Sequence, residues 1–232
     1  MNSTNILYTP LDTPDVPVTD IPKLLEWITK NSTDQELTIR RDASKNSDLK
    51  NSYPWNIIYP RANRVWQYNF DQEFPELAEF FYSAYGLDEY DVHSIVLLPV
   101  RNDFSGIGFW HSDPDEYGLR MYIENQETEN FLLIKPTVEP YEFRPKFGVD
   151  QKFKDTKLQD KMLSAKLRAH NQTFYINNVR AVHAVNTTNP GTLRIAVIVV
   201  CEKTPKLTKL VNDLVVKSAE KYQEYAIHWT AE

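Results

Sequence analysis

The sequence predicts one mainly β domain with supporting helices before and after the strands. Residues 1–88 read as an arm and helices, residues 89–202 contain strand-like runs at short spacing, and residues 203–232 hold a long amphipathic helix. The chain of 232 residues is long enough to bury one well-packed core, and its sequence contains no internal repeat. We therefore expect a single domain over 1–232, built as a barrel or a two-sheet sandwich.

The N-terminal part is expected to form an extended arm followed by two helices. Prolines interrupt the first 20 residues and favour an extended chain there. Asp20 can cap a helix that begins at Ile21. After a polar, turn-rich stretch at 31–64, a second helix is expected over 73–85, with Gly86 as its stop.

The middle of the chain is expected to supply the strands. From residue 91 the apolar pattern becomes typical of strands, with turn residues between the runs. The predicted strands lie at 95–100, 107–110, 119–123, 131–135, 141–143 and 173–176, and two more carry His183 and Arg194. A helix is expected at 156–169, and a long helix at 206–226 closes the chain.

Composition and charge argue against several classes of protein. The formal net charge is −6 and no long basic run occurs, so no nucleic-acid partner is expected. No apolar stretch approaches the roughly 20 residues of a membrane span. The first residues lack the charged and apolar regions of a signal peptide. Cys201 is the only cysteine, which excludes an intrachain disulfide. These features favour a reducing, cytoplasmic location.

A His-x-Asp triplet is the clearest chemical signal in the chain. His111 and Asp113 are two residues apart, so on an extended strand their side chains point to the same face. Such triplets also arise by chance, but this one lies between strand-like runs, and His183 lies on a later strand. If the sheet folds back, two imidazoles and one carboxylate can meet on one side of a metal ion. That arrangement is typical of non-haem Fe(II) oxygenases.

Two arginines extend this pattern and carry a family resemblance. Arg194 follows His183 by eleven residues, and Arg120 lies on the strand after the triplet. With these residues the chain resembles the 2-oxoglutarate/Fe(II)-dependent dioxygenases, most of all their aspartyl/asparaginyl β-hydroxylase and proline hydroxylase-like branch. The resemblance covers about residues 90–200. Where that branch often has a histidine two residues after this arginine, the chain has Tyr122, whose phenol can still donate a hydrogen bond.

The resemblance implies a fold, a metal site and a reaction. The fold is the double-stranded β-helix, a cupin-like jelly roll, with its core and metal site within 89–202. His111, Asp113 and His183 would be the catalytic ligands of Fe(II), and 2-oxoglutarate would be the co-substrate. The implied reaction converts 2-oxoglutarate to succinate and CO2 while hydroxylating an amino acid or a protein or peptide side chain. That small molecule or peptide would be the partner, and no membrane is expected to take part.

The two arginines each have a structural alternative. A lone arginine on an apolar strand is costly to bury unless it meets an anion. The guanidinium of Arg194 can bind a carboxylate of 2-oxoglutarate through paired hydrogen bonds, or it can form a salt bridge with a core acid. Arg120, Tyr122 and Glu124 alternate along one strand face. That face either meets solvent or places Arg120 and Tyr122 in the cavity, where they help to hold a carboxylate.

Two other functions stay open from the sequence alone. A cupin-type metalloenzyme would share the metal without using 2-oxoglutarate, although such sites usually have three or four His-type ligands. A non-catalytic β-sandwich binding module would make the triplet accidental, and the 29 aromatic residues would suit carbohydrate or protein recognition. Loops carry selectivity in such folds, and no loop motif here names a substrate.

Overall fold

The computed structural model describes most of the chain. The described residues are 5–31, 58–101, 106–107, 117–126, 132–136, 163–177, 181–187, 189 and 191–229. The predicted strand at 141–143 lies outside these residues, as do His111 and Asp113.

Strands dominate the described residues, with helices near both ends of the chain. The strands are β1 Ile6–Pro10, β2 Ile58–Ala62, β3 Val65–Trp66, β4 Val92–Arg101, β5 Gly106–Ile107, β6 Leu119–Asn125, β7 Leu132–Pro136, β8 Leu163–Ala165, β9 Thr173–Ile176, β10 Ala181–Thr187, β11 Leu193–Cys201 and β12 Ile227–His228. The helices are α1 Ile21–Asn31, α2 Phe70–Glu73, α3 Pro75–Ser83 and α4 Pro205–Lys221, with a 3-10 helix at Glu89–Asp91.

These strands form two antiparallel sheets. The larger sheet has eight strands in the order β12-β1-β9-β6-β11-β4-β2-β3, and the smaller has four in the order β5-β10-β7-β8. From β4 to β11 the chain passes repeatedly between the sheets. Strands β4, β6, β9 and β11 lie in the larger sheet, and β5, β7, β8 and β10 lie in the smaller one. The predicted β-rich architecture with flanking helices is confirmed at this level.

The larger sheet has an outer face, by which we mean the face that packs against the helices. Met121 of β6 and Val197 of β11 belong to the same buried cluster as Leu24 of α1, Phe81 of α3 and Val215 of α4. Full burial of side chains of this size stabilises the fold by about 2 kcal/mol each. This helix–sheet layer is the main hydrophobic core of the described residues.

The inner face of the larger sheet is the one turned toward the smaller sheet. A second buried cluster joins residues of both sheets, namely Tyr8, Tyr122, Phe174 and Ile176 from the larger sheet and Ala165 and Ala181 from the smaller one. Facing sheets pack in this way when each strand turns alternate residues inward. Side chains on the inner face therefore lie between the two layers.

Strand β11 shows how the sequence separates the two faces. It lies between β4 and β6, so both of its edges are paired. Leu193, Ile195 and Val197 point to the outer face and join the helix-side core. The alternate residues, Arg194 and Ala196 among them, therefore point to the inner face. The predicted alternation on this strand is confirmed.

The N-terminal helix begins where the sequence predicts. The amide of Lys23 donates to Asp20 Oδ1 at 3.0 Å, which caps the first turn of α1. The second predicted helix, at 73–85, is found as α3, and the short α2 before it is a separate helix because the chain turns at Phe74 and Pro75 begins α3. Proline has no N–H to continue a helix but is well suited to start one. Gly86 follows with a φ of 68°, consistent with its predicted role as a stop.

The predicted helix at 156–169 is wrong where the structure describes it. Residues 163–165 form β8, in which Ala165 lies opposite Leu132 and Leu163 lies opposite Ile134 of β7. Residues 166–169 are not helical. Pairing with a neighbouring strand outweighs a local helical preference that is worth only tenths of a kcal/mol per residue.

Strands also occur where the sequence predicts none. The supposed arm contains β1, which pairs with β9 on one side and β12 on the other. Strand β12 follows α4, which ends at Lys221 rather than near residue 226. The polar stretch ends in the hairpin of β2 and β3.

Among the described helices, none combines the length and apolar character needed to cross a bilayer. The division of the chain into functional regions stays a prediction.

Candidate functional site

Arg194 is buried on the inner face of the larger sheet. Only 6% of its surface is exposed, and it is the second residue of an otherwise apolar strand. Among the described residues, no carboxylate forms an ion pair with its guanidinium. A buried cation without an opposite charge is costly, so this position is suited to an incoming anion. The alternative of a structural salt bridge gains no support from these residues.

Arg61 provides a contrast within the same sheet. It is 1% exposed, and its guanidinium donates to Glu89 Oε1 at 2.7 Å, to the Glu89 carbonyl at 3.1 Å and to the Val92 carbonyl at 3.2 Å. The ring of Trp66 lies 4.9 Å from the guanidinium carbon. All of these contacts are internal, as expected for an arginine that serves the fold.

Tyr122 lies close enough to two arginines for both positive charges to affect its phenol. It lies opposite Ala196 on the neighbouring strand, and Arg194 and Arg120 both act electrostatically on its phenol. Burial nevertheless raises the pKa of Tyr122 to about 12, and the two guanidinium groups only partly offset this effect. The phenol therefore stays protonated at neutral pH and can donate a hydrogen bond to an anion.

Packing around Tyr122 fixes its ring. It stacks on Phe174 with ring centroids 4.8 Å apart and planes 21° apart, and Phe174 in turn meets Tyr8. The side chain of Gln172 donates to the Tyr8 hydroxyl at 3.2 Å and accepts from the amide of Arg168 at 2.8 Å. These contacts tie the loop before β9 to the inner face, so the Tyr122 phenol is held in place.

Arg120 is also buried, which rules out the solvent-facing alternative for Arg120 and Tyr122. Its guanidinium donates to the Leu119 carbonyl at 3.0 Å, and its own carbonyl accepts from the Tyr85 hydroxyl at 2.9 Å. It lies opposite Ile198 of β11 and Phe174 of β9. Arg120 thus adds positive charge to the inner face next to Tyr122, and its contact with a ligand stays a prediction.

A β-bulge in β6 changes the side-chain pattern that the sequence suggests. Ala196 lies opposite Tyr122, but the next residue of β11, Ile195, lies opposite Glu124, which leaves Ile123 extra. Ile123 and Glu124 both line an outer pocket of about 480 Å³, together with His170. Glu124 therefore does not share a face with Arg120 and Tyr122, as strict alternation would require.

Asn125 takes the inner-face position that alternation would give to Glu124. It lies directly opposite Arg194 and is 2% exposed. Sequence reasoning missed this residue because the bulge shifts the register by one. The sequence does contain a weak signal: Asn125 is an uncharged polar residue at the end of an otherwise well-patterned strand.

His183 approaches the inner face from the smaller sheet. It lies on β10 two residues after Ala181, which packs in the cluster between the sheets, and it is 5% exposed. Its Nδ1 lies 3.4 Å from the Ala181 carbonyl oxygen. This contact would favour the tautomer with its proton on Nδ1, in which Nε2 is the ring nitrogen of the kind that binds metal ions.

The other two predicted metal ligands, His111 and Asp113, lie outside the described residues. Within the described part of the chain, no three side chains of metal-ligating type come together. Strand β5 ends at Ile107, which lies opposite Asn186 on the strand that carries His183. The segment that contains His111 and Asp113 thus follows directly after a strand paired with β10.

Comparisons with known proteins give distant structural likenesses. No protein-family model matches the chain. No curated protein sequence matches it either. AviO1 from Streptomyces viridochromogenes Tue57 is similar with a TM-score of 0.39 at 13% identity, over 86% of this chain and 94% of that one. The non-heme monooxygenase ThoJ is similar with a TM-score of 0.41 at 12% identity, over 96% of this chain and 95% of that one.

A third solved structure is SnoN, a non-heme alpha ketoglutarate dependent epimerase from nogalamycin biosynthesis. Its TM-score is 0.41 at 15% identity, over 85% of this chain and 78% of that one. Similarity at this level assigns neither a family nor an activity to the chain.

Proposed function

We propose that this chain is an Fe(II)/2-oxoglutarate-dependent oxygenase whose active site lies between the two sheets. The observation that carries the proposal is Arg194, a buried inner-face guanidinium without a carboxylate partner among the described residues. His183 lies on the opposing sheet and points to the same interior. A cation that needs an anion and an imidazole that can bind a metal are both expected of such an enzyme.

The strand order supports a finer proposal about the fold. Strands β4 to β11 are divided equally between the sheets, with β9-β6-β11-β4 consecutive in one and β8-β7-β10-β5 consecutive in the other. Eight strands arranged in two facing sheets are the plan of a jelly roll. We therefore propose that β4 to β11 form a double-stranded β-helix and that the remaining strands extend its larger sheet.

In this proposal, His183 would hold the ferrous ion together with His111 and Asp113. A neutral imidazole on a buried face is a suitable donor, and two imidazoles with one carboxylate are the donor set that non-haem Fe(II) enzymes use. When bound, the ferrous ion would supply the oxidative chemistry. The chain's own contribution would be to bind the ligands in a fixed geometry and to exclude water, as the burial of His183 and Arg194 favours.

Arg194 and Tyr122 would hold 2-oxoglutarate by its far carboxylate. The guanidinium would provide paired hydrogen bonds and opposite charge, and the protonated phenol would provide another donor. Arg120 would raise the positive potential on the same face. The small side chain of Ala196, opposite Tyr122, would leave space beside the ring for the carbon chain of the ligand.

The proposal also extends to the substrate that is oxidised. An amino acid or a protein or peptide side chain is carried over from the family resemblance, and no described residue bears on it. Selectivity in such folds depends on loops. A mass-spectrometric screen for the gain of one oxygen, run over amino acids and peptides, would identify the substrate class.

The proposed activity is tested by measuring succinate formed from 2-oxoglutarate with and without Fe(II). The wild-type protein should form succinate only when Fe(II) is present. The variants His111→Ala, Asp113→Ala and His183→Ala should each lose at least about 99% of that turnover, because a metal with two ligands is held weakly. His228→Ala, which removes an exposed histidine of β12, is the matched control and should keep full turnover. Metal-independent turnover, or full activity in the first three variants, would overturn the proposal.

A further inference from the structure

The bulge in β6 points to one more residue at the anion site. We propose that Asn125 donates a hydrogen bond from its carboxamide to the carboxylate bound by Arg194, and that its lack of charge keeps Arg194 available to that ligand. This inference rests on the proposed function, since it takes 2-oxoglutarate as the ligand of Arg194.

Register places Asn125 next to the guanidinium. The two residues lie directly opposite each other on β6 and β11, so their side chains leave the sheet on the same face. Cross-strand neighbours of this kind have Cβ atoms about 5 Å apart. Arg194 is on the inner face because Leu193 and Ile195 pack into the outer core. Asn125 is thus an inner-face neighbour of the only charged residue on β11.

The bulge decides which residue stands beside Arg194. Strict alternation from Tyr122 would turn Glu124 inward, and its carboxylate would then be placed to neutralise Arg194. Ile123 is the extra residue of the bulge, and it lines the outer pocket together with Glu124. The bulge therefore places the uncharged residue Asn125, and not the acidic residue Glu124, beside Arg194.

The end of β6 is held firmly beside Arg194. The ring of His170 lies 2.7 Å from the Asn125 carbonyl oxygen through its Nδ1. The amide of Gln126 donates to the Leu193 carbonyl at 3.1 Å, and the amide of Leu193 donates to Gln126 Oε1 at 2.7 Å. The two Gln126–Leu193 bonds fasten β6 to β11 directly next to the Asn125–Arg194 pair, so the backbone positions of the pair are fixed.

Matched amide-to-acid substitutions test the inference. Asn125→Asp changes one neutral group into a carboxylate beside Arg194, whereas Gln126→Glu makes the same change on the exposed next residue and keeps an acceptor for the Leu193 amide. Calorimetric titration with 2-oxoglutarate should show about tenfold or greater loss of affinity for Asn125→Asp and less than about twofold loss for Gln126→Glu. Asn125→Ala, which removes only the donor, should lose about fivefold.

A kinetic measurement separates binding from a general structural effect. Asn125→Asp should raise the KM for 2-oxoglutarate while kcat at saturating 2-oxoglutarate stays near the wild-type value, because the new carboxylate competes with the ligand for Arg194. A parallel fall in kcat with unchanged KM would overturn the inference.

Failure of the inference can be told apart from failure of the proposed function. If the wild-type protein does not bind 2-oxoglutarate, the proposed function fails and this inference fails with it. If the wild type binds and Arg194→Met does not, but Asn125→Asp and Asn125→Ala bind as the wild type does, then only the role of Asn125 is overturned. Loss of affinity in Asn125→Asp alone, with Asn125→Ala unchanged, would also overturn the proposed hydrogen bond.

Discussion

At the residue scale, two buried arginines have opposite surroundings, which predict a structural role for Arg61 and a ligand-binding role for Arg194. Arg61 is satisfied by Glu89 and by two backbone carbonyls, whereas Arg194 has no carboxylate partner among the described residues. Removing the first should cost stability, because several buried hydrogen bonds are lost together. Removing the second should cost little, because a buried charge that no described carboxylate neutralises is itself unfavourable.

This contrast gives the first prediction at this scale. Arg194→Met should change the free energy of unfolding by less than about 1 kcal/mol, whereas Arg61→Met should lower it by about 3 kcal/mol. In chemical denaturation, 2-oxoglutarate at 100 times its Kd should stabilise the wild type by about 2.7 kcal/mol. The same concentration should not stabilise Arg194→Met. If Arg194→Met is as unstable as Arg61→Met, then Arg194 stabilises the folded protein and the prediction is wrong.

The Tyr122 hydroxyl supports a second prediction. Tyr122→Phe keeps the ring that stacks on Phe174 and removes only the donor. We expect about tenfold weaker binding of 2-oxoglutarate, since a hydrogen bond to a charged group is worth about 1.5 kcal/mol or more. Tyr175→Phe removes a phenol that packs against the outer core and should leave binding unchanged. Equal affinities for both variants and the wild type would remove Tyr122 from the site.

At the scale of elements, the start of β6 depends on a glycine. Gly118 has a φ of +73°, and a Cβ there would lie 1.8 Å from the Ile176 carbonyl oxygen of β9. The backbones approach so closely because the amide of Ile176 donates to the Gly118 carbonyl at 3.0 Å. Any side chain would push β6 away from β9 and disturb the inner face that carries Tyr122.

A pair of glycine substitutions tests this close approach. Gly191 has a φ of +86°, and no atom of the described residues lies within 4 Å of its Cβ position, so Gly191→Ala should cost only the backbone strain of about 1 kcal/mol. Gly118→Ala carries the same strain and adds a steric clash, so it should cost about 3 kcal/mol or more. Urea denaturation of both variants measures the difference. Equal destabilisation would mean that β6 and β9 can separate at no cost.

The sequence predicts an element well when a local pattern determines it, and poorly when pairing with another strand determines it. Strand β11 was predictable because its apolar run and its Arg194 follow the simple alternation of a paired strand. The end of β6 was not, because the bulge at Ile123 is a property of two strands and leaves no local pattern. Strand β8 was mistaken for part of a helix because only its pairing with β7 makes it extended. The inner face followed the same division: the inward position of Arg194 was predicted, and that of Asn125 was missed.

For the whole molecule, buried tyrosines set the response to alkaline pH. Burial raises the pKa of Tyr8, Tyr85, Tyr122 and Tyr175 above the ordinary value of 10.0. Below that value the phenols are protonated in both the folded and the unfolded chain, so they add no pH dependence. Above it the unfolded chain ionises first, and stability is lost as the pH rises toward the folded pKa, which is about 12 for Tyr122 and Tyr175.

The corresponding prediction is a steep fall of Tm above about pH 10, with little change between about pH 7 and pH 9. Tyr122→Phe should reduce the alkaline loss, whereas Tyr90→Phe, which alters an exposed residue, should not. Thermal melts followed by circular dichroism at each pH measure this. A Tm that stays level through the alkaline range would contradict the burial of these phenols.

The whole-molecule proposal is that the two sheets bring His183 and Arg194 to one interior, where a ferrous ion and 2-oxoglutarate bind together. The most direct measurement is an anaerobic crystal structure with Fe(II) and 2-oxoglutarate, in which anomalous scattering locates the iron. The proposal predicts a single iron bonded to His183, His111 and Asp113, with the far carboxylate of 2-oxoglutarate on Arg194. Iron located away from His183, or a carboxylate bound elsewhere with Arg194 still unengaged, would contradict it.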